Sequence, residues 1–247
     1  MPKHPGLIAL LIQAMALTLT GVLAVAQTAF TLSLFEWSIV QGVMAGIVSH
    51  ATRMPFWWIL IHLAFAPLII IALTLDISPA WYLAGFIGLL SIYGKSFKTQ
   101  VPLYLSSIKA NQALESLLPK QEQFSFIDLG SGCGGLLTHL AQTCKNGLFC
   151  GVESAPMPFI IGKLRSLFNP NCVVRWGNFW KQDFSQYDVV YAYLSPVPMT
   201  LLWQKAKREM RPGSLLISNT FIIPDVPPHQ SIKLNDFSNS TLYLWKI

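Results

Sequence analysis

Charge is scarce at the start of this chain. Residues 1–94 hold four charged side chains, Lys3, Glu36, Arg53 and Asp76. Cysteine is absent before position 133, and the four that follow (Cys133, Cys144, Cys150, Cys172) form no C-x-x-C pair. That spacing excludes a zinc-finger framework and a disulfide scaffold, so the thiols read as reduced and no metal site is expected. No internal repeat is evident, and there is no dense Lys/Arg patch interleaved with aromatics. A nucleic-acid partner is therefore not expected. What remains is a chain that is 53% hydrophobic and 11% charged, with a net charge of +6 and a pI near 9.2. Such a balance suits a protein lying against an anionic membrane face.

The imbalance is local, and it predicts two domains: a transmembrane helical region over residues 1–94 and a soluble domain over 95–247. Four apolar runs fall in the first part: Leu7 to Phe35, Trp37 to His50, Pro55 to Leu75, and Pro79 to Tyr93. A bilayer-spanning helix takes about 20 residues, and Phe56-Trp57-Trp58 reads as an interfacial aromatic belt. Three to four spans are expected. Lys3, Arg53, Lys95 and Lys98 would share one side and Glu36 and Asp76 the other, which places both termini and the soluble domain in the cytoplasm. Ala24-Val25-Ala26 after an apolar run also fits a cleaved secretory signal. Gln13, Gln41, His50 and His62 are the polar groups in the runs. They read as helix-packing hydrogen bonds, with a buried substrate path as the sharper alternative.

From residue 103 the pattern changes. An amphipathic helix is expected over 103–118 and is stopped by Pro119. Strands at 124–129, 148–153, 172–176, 187–193 and 214–221 then alternate with helices at 134–143, 156–168 and 199–210. This alternation predicts a Rossmann-like α/β sheet, parallel, with helices on both faces. Two further strands are expected near 231–236 and 241–246.

The organising stretch is Phe124-Ser-Phe-Ile-Asp128-Leu-Gly130-Ser131-Gly132-Cys-Gly134-Gly135. A buried strand enters a glycine-rich turn and then a helix, the geometry that brings backbone N–H groups to a ligand. Gly130, Gly132 and Gly135 fit G-x-G-x-x-G, so a dinucleotide remains an option here. Asp128 argues for a cationic ligand group instead. Glu153, closing the next strand, is placed to accept from both ribose hydroxyls. Gly177-Asn178-Phe179-Trp180 follows the third strand, where Asn178 with a backbone N–H suits an adenine edge and Phe179 the ring. The exit of the fourth strand offers Tyr193 and Ser195.

Ile127-Asp128-Leu129-Gly130-Ser131-Gly132 resembles the first motif of class I methyltransferases, whose cofactor is S-adenosylmethionine (SAM). The resemblance implies that Asp128 faces the methionine amino group and that Asp128, Gly130, Ser131, Gly132, Glu153, Asn178 and Phe179 bind the cofactor. It also implies that Tyr193 and Ser195 are catalytic candidates on the acceptor side, and that the last two strands form an antiparallel edge pair. A narrower resemblance rests on Gln100-Val-Pro102, Asp128 to Gly132, Gly151-Val-Glu153, Asn178-Phe-Trp180, Phe184 to Tyr187, Pro198-Met199 and Leu215 to Pro224. These are similar to the membrane-anchored mitochondrial lysine methyltransferases of the ATP synthase c-subunit and the adenine nucleotide translocase, and to their bacterial relatives. In departure from that pattern, Cys133 stands where many members carry an acid, and Ser106-Ser107 where a Pro-Thr pair is usual.

The function implied is an integral-membrane methyltransferase acting at the bacterial inner membrane on a membrane-associated acceptor, foremost a protein lysine. A lipid or isoprenoid acceptor is the enzymatic alternative. A non-enzymatic membrane protein with a nucleotide-sensing Rossmann domain is the alternative of another class.

Overall fold

The structure, a computed structural model, describes residues 5–27, 31–120 and 122–247. Lys3 and His4 lie outside the described residues, as does the side chain of Lys98. The chain divides into two compact units, Met1–Tyr82 and Leu83–Ile247.

The first unit is helical: α1 (Pro5–Ala26), α2 (Leu34–Ala51), α3 (Phe56–Thr74) and the start of α4 (Pro79–Tyr93). The long run from Leu7 to Phe35 is not one helix. A helix start interrupts it at Ser33, whose N–H donates to Glu36 Oε2 at 2.7 Å while its hydroxyl accepts from the Glu36 N–H. This reciprocal capping box fixes where α2 begins. By length and composition α1 and α3 can cross a membrane, whereas α4 is an apolar helix of 15 residues. The sequence reading expects up to four spans. Helices α2 and α3 touch backbone to backbone, because a Cβ at Gly42 would lie 2.6 Å from the Leu63 carbonyl oxygen. Small residues at such contacts let helices approach closely. Gln41 donates to Gln13 Oε1 at 2.6 Å, and Gln13 Nε2 meets His62 Nδ1 at 2.9 Å. These amides and the imidazole thus tie three helices together, as helix-packing bonds should; His50 is exposed at the end of α2.

In the second unit a short helical turn, α5 (Ser96–Thr99), and an extended segment precede α6 (Ile108–Leu117). The expected helix over 103–118 therefore starts late. Ser107 is its N-cap, accepting from the Ala110 N–H at 3.1 Å, and Leu103 to Ser106 stay extended. The core alternates β1 (Phe124–Leu129), α7 (Gly135–Thr143), β2 (Gly147–Glu153), α8 (Pro156–Ser166), β3 (Cys172–Trp176), β4 (Val189–Ala192), α9 (Met199–Glu209) and β5 (Leu215–Asn219). It ends on β6 (Gln230–Lys233) and β7 (Thr241–Lys246).

One seven-stranded sheet runs β3-β2-β1-β4-β5-β7-β6. The pairs from β3 to β5 are parallel, and β7 inserts antiparallel between β5 and β6. Alternation along β1 sorts the core. Phe126 faces α6 and α7 through Leu114, Leu137 and Leu140, while Ile127 and Leu129 face α9 through Met199 and Leu202. Helices lie on both faces as expected, α6 and α7 on one and α9 on the other. Between β3 and β4 there are only two short 3-10 turns, Phe179–Lys181 and Phe184–Gln186. Leu148 on β2 is consequently exposed.

Candidate active site

The reversal of strand order at β1 and β4 opens a crevice beyond their carboxyl ends. The glycine-rich turn forms its floor. Gly130, Gly132 and Gly134 all take positive φ, at 80°, 54° and 70°. This is the left-handed region that glycine enters without steric cost. Gly134, not Gly135, is therefore the conformationally demanding residue next to α7. A Cβ on Gly134 would come 3.0 Å from the Gly162 Cα of α8, and one on Gly132 would come 3.0 Å from the Leu103 side chain. The Ser131 hydroxyl lies over Gly151, and a Cβ at Gly151 would be 2.7 Å from it. Ser131 thus contributes its backbone to the loop, and its side chain packs beneath.

Glu153 organises this floor. Its Oε2 accepts from the Gly132 N–H at 2.8 Å, and its Oε1 accepts from the Ser154 and Ala155 N–H groups at 2.6 and 2.7 Å. Neighbouring Asp128, 4% exposed, receives no hydrogen bond among the described residues. Burial, and then the charge of Glu153, push its carboxyl up to about 8. A buried carboxylate without a donor is costly, and a cationic ligand would relieve it. This is the arrangement that suits a methionine ammonium group.

The crevice is walled by the segment from Lys95 to Tyr104. Val101, Pro102, Leu103 and Tyr104 line a cavity of about 70 Å³ with Gly130, Glu153, Gly177, Phe179 and Tyr193. Tyr104 stacks on Tyr193 (centroids 4.9 Å, planes 16° apart) and lies 5.5 Å from Phe221. Tyr191, register partner of Asp128, is buried at 1% exposure. Its hydroxyl accepts from Asn219 Nδ2 at 3.1 Å and meets the Ser106 hydroxyl at 2.9 Å. Burial, then the nearby Asp128 charge, raise the phenol above its usual range.

Of the residues singled out in the sequence, Gly130, Glu153, Phe179 and Tyr193 share this cavity, with Asp128 and Gly132 next to it. Asn178 is exposed beside it, its side-chain oxygen accepting from the Trp180 N–H at 3.0 Å as the cap of the 3-10 turn. Ser195 is 4% exposed, its hydroxyl buried without a partner among the described residues. It does not line the cavity. Sequence reasoning passed over Leu103, Tyr104 and Phe221. The first two were absorbed into an expected helix face; Pro102 and the capping residue Ser107 were the signals that they precede it. A larger cavity, about 610 Å³, lies among α1, α2 and α3. Its lining is apolar apart from Gln13, Thr20, Ser38 and Gln41, with no acid–base pair or nucleophile set.

A family model described as the ANTKMT methyltransferase domain matches residues 128–230. Residues 128–230 are thus similar to a class I methyltransferase domain. The cofactor of that class is SAM, and the buried acid under the glycine turn fits it. A curated protein-lysine N-methyltransferase of Saccharolobus islandicus (strain REY15A) is 35% identical over 72 residues, covering 29% of this chain and 45% of the relative. The chain thus spans less than half the length of that relative. Among solved structures, an RNA methyltransferase from Salinibacter ruber, in complex with S-adenosyl-L-homocysteine, superposes with a TM-score of 0.53 at 22% identity. That match covers 58% of this chain and 94% of the other, and it fixes the fold of the methyltransferase domain.

Proposed function

We propose that this protein is a membrane-integrated, SAM-dependent methyltransferase whose acceptor is a lysine of a membrane-associated protein. The observation that carries it is the donor-less carboxylate of Asp128 beneath a glycine turn held by Glu153. The ANTKMT-family match and the lysine-methylating relative support the acceptor class. Residues 1–94 form the membrane region and 95–247 the catalytic domain, on the cytoplasmic side of a bacterial inner membrane. The apolar surfaces of α1 and α3 support insertion.

When bound, SAM supplies a methyl group made electrophilic by its sulfonium. The rest falls to this chain. Asp128 pairs with the amino acid ammonium. Glu153 keeps lone pairs for ribose hydroxyls while its present donors hold the glycine turn. Phe179 packs against the adenine, and the loop at Asn178 reads its edge. The aromatic wall of Tyr104, Tyr193 and Phe221 keeps the acceptor amine dry, which lowers its pKa and frees its lone pair. Bound SAM would supply its methyl to that amine, whose proton has already passed to solvent, and S-adenosylhomocysteine would be the product. Alignment is the main contribution of the protein. Tyr193 faces the acceptor.

The test is calorimetry on the full chain with SAM, S-adenosylhomocysteine and NAD, followed by transfer of labelled methyl to isolated membranes. Binding of the first two, with label in protein and released as methyl-lysine on hydrolysis, is expected. Label in the lipid extract would replace lysine by a lipid acceptor. Binding of NAD alone would refute the enzyme.

A further inference from the structure

Helix α8 presents an apolar face that none of the described residues covers. Pro158, Gly162 and Ser166 are buried on one side. On the other, Ile160, Leu164, Leu167 and Phe168 are 54%, 56%, 67% and 85% exposed. Ile160 and Leu164, four apart, share one face of α8, and Leu167 and Phe168 follow in the turn after it. Trp176, ending the adjacent edge strand β3, adds a half-exposed indole. Side chains of this size belong in water only singly; a contiguous patch marks an interaction surface.

Charge identifies what covers it. Between Glu153 and Asp183 there is no acidic residue, but Lys163, Arg165, Arg175 and Lys181 are all present and exposed. A second copy of the chain would set these cations against each other. An anionic lipid surface instead accepts both the stripe and its basic rim, the pattern of interfacially bound helices. The chain path agrees. Apolar α4 ends at Tyr93, and Lys95 then lies over the Trp176 ring, 5.2 Å from its centroid. The stripe therefore begins where the chain leaves an apolar helix with outward-facing Phe86 and Leu90.

We propose that the α8 face, with Trp176, is a bilayer-contact surface that rests the β3 edge of the methyltransferase domain on anionic lipid. The proposal depends on the membrane reading of residues 1–94. The opposite edge, β6, lies six strand spacings away, roughly 29 Å, and would stay in water. The SAM crevice opens between these edges, so its mouth is held at a fixed height above the lipid rather than swinging on a tether.

Three phenylalanines test this. Phe65 is in α3, Phe168 ends the stripe, and Phe237 is fully exposed beside β6. Each is replaced in turn by photoreactive benzoyl-phenylalanine in the full chain, reconstituted in phosphatidylcholine vesicles with or without phosphatidylglycerol. Lipid adducts are read by mass spectrometry after illumination. Adducts at 65 and 168 but not at 237 are expected. The adduct at 168 falls about fivefold in Lys163→Ala, the factor for one cation at an anionic surface, and falls again without phosphatidylglycerol. Adducts at 65 alone, or equal adducts at 168 and 237, would overturn the α8 surface and leave the membrane reading standing. Adducts at neither 65 nor 168 would overturn both. Chain-to-chain adducts at 168 would give the face to a second copy and refute the lipid assignment.

Discussion

Replacing Asp128 by Asn should make the ligand-free protein more stable and its cofactor binding worse, and the size of the first effect should depend on pH. In the folded domain the carboxyl is pushed from 3.8 to about 8 by burial and by Glu153. The folded state therefore holds a proton that the unfolded state releases above pH 3.8. Stability falls as pH rises through that window and levels off above about 8. Each tenfold step in proton affinity is worth about 1.4 kcal/mol, so the whole cost is on the order of 5 kcal/mol. Asparagine has the same shape and no charge, and it escapes that cost. Thermal melts of Asp128→Asn and parent chain should nearly coincide near pH 4. They should separate progressively to pH 8, with the variant higher by on the order of 10 °C at pH 9. Calorimetry should show the reverse for SAM. The parent releases a proton on binding below pH 8 and gains affinity as pH rises. The variant binds more than about tenfold more weakly, with no such slope. Parallel melts across pH, or SAM binding as tight in the variant as in the parent, would refute the assignment of Asp128 to a cationic ligand group.

Gly134→Ala should cost roughly 1–3 kcal/mol in urea unfolding, from its φ of 70° and the approach to Gly162. Glu153→Gln leaves one acceptor oxygen where two now receive three N–H groups. It should weaken SAM binding by at least about tenfold, read by calorimetry, while urea unfolding shows the domain still folded. Ser195→Ala should leave methyl transfer within about twofold of the parent, whereas Tyr193→Ala should lower kcat/KM on the order of tenfold by removing the acceptor wall. Asp236, held down to about 2 by Ser240 and Ser107, contributes stability above pH 3.8 that is lost as pH falls through 2. Acid melts of Asp236→Asn should lack that component.

The corner that matters most was readable because its signals agree. An apolar strand, glycines that must take positive φ, and a helix pattern all point to one turn at residues 124–143, and Asp128 and Glu153 sit at the ends of adjacent strands. Element ends were less readable, because side chains with other tasks set them. The strand expected from 187 begins at Val189, although the Asp188 main chain already bonds Ser125 on one side and Leu215 on the other. Leu103 and Tyr104 look like a helix face, yet they pack on the Gly132 position and on Tyr193. Ser131 and Ser195 could not be aimed from spacing alone, and both hydroxyls lie buried away from the opening. The break in the first apolar run was written in Ser33 and Glu36, three residues apart, but hydropathy alone hides it.

The phenol of Tyr191 has a single hydrogen. Its oxygen accepts from Asn219, and it shares a hydrogen bond with the hydroxyl of Ser106, two residues past the segment that walls the crevice. A buried, bonded hydroxyl proton exchanges slowly with water and gives its own resonance. Tyr191 is therefore a native signal lamp for the crevice: its hydroxyl line should persist while the wall is seated, and broaden into the solvent peak whenever the wall lifts to admit or release a ligand.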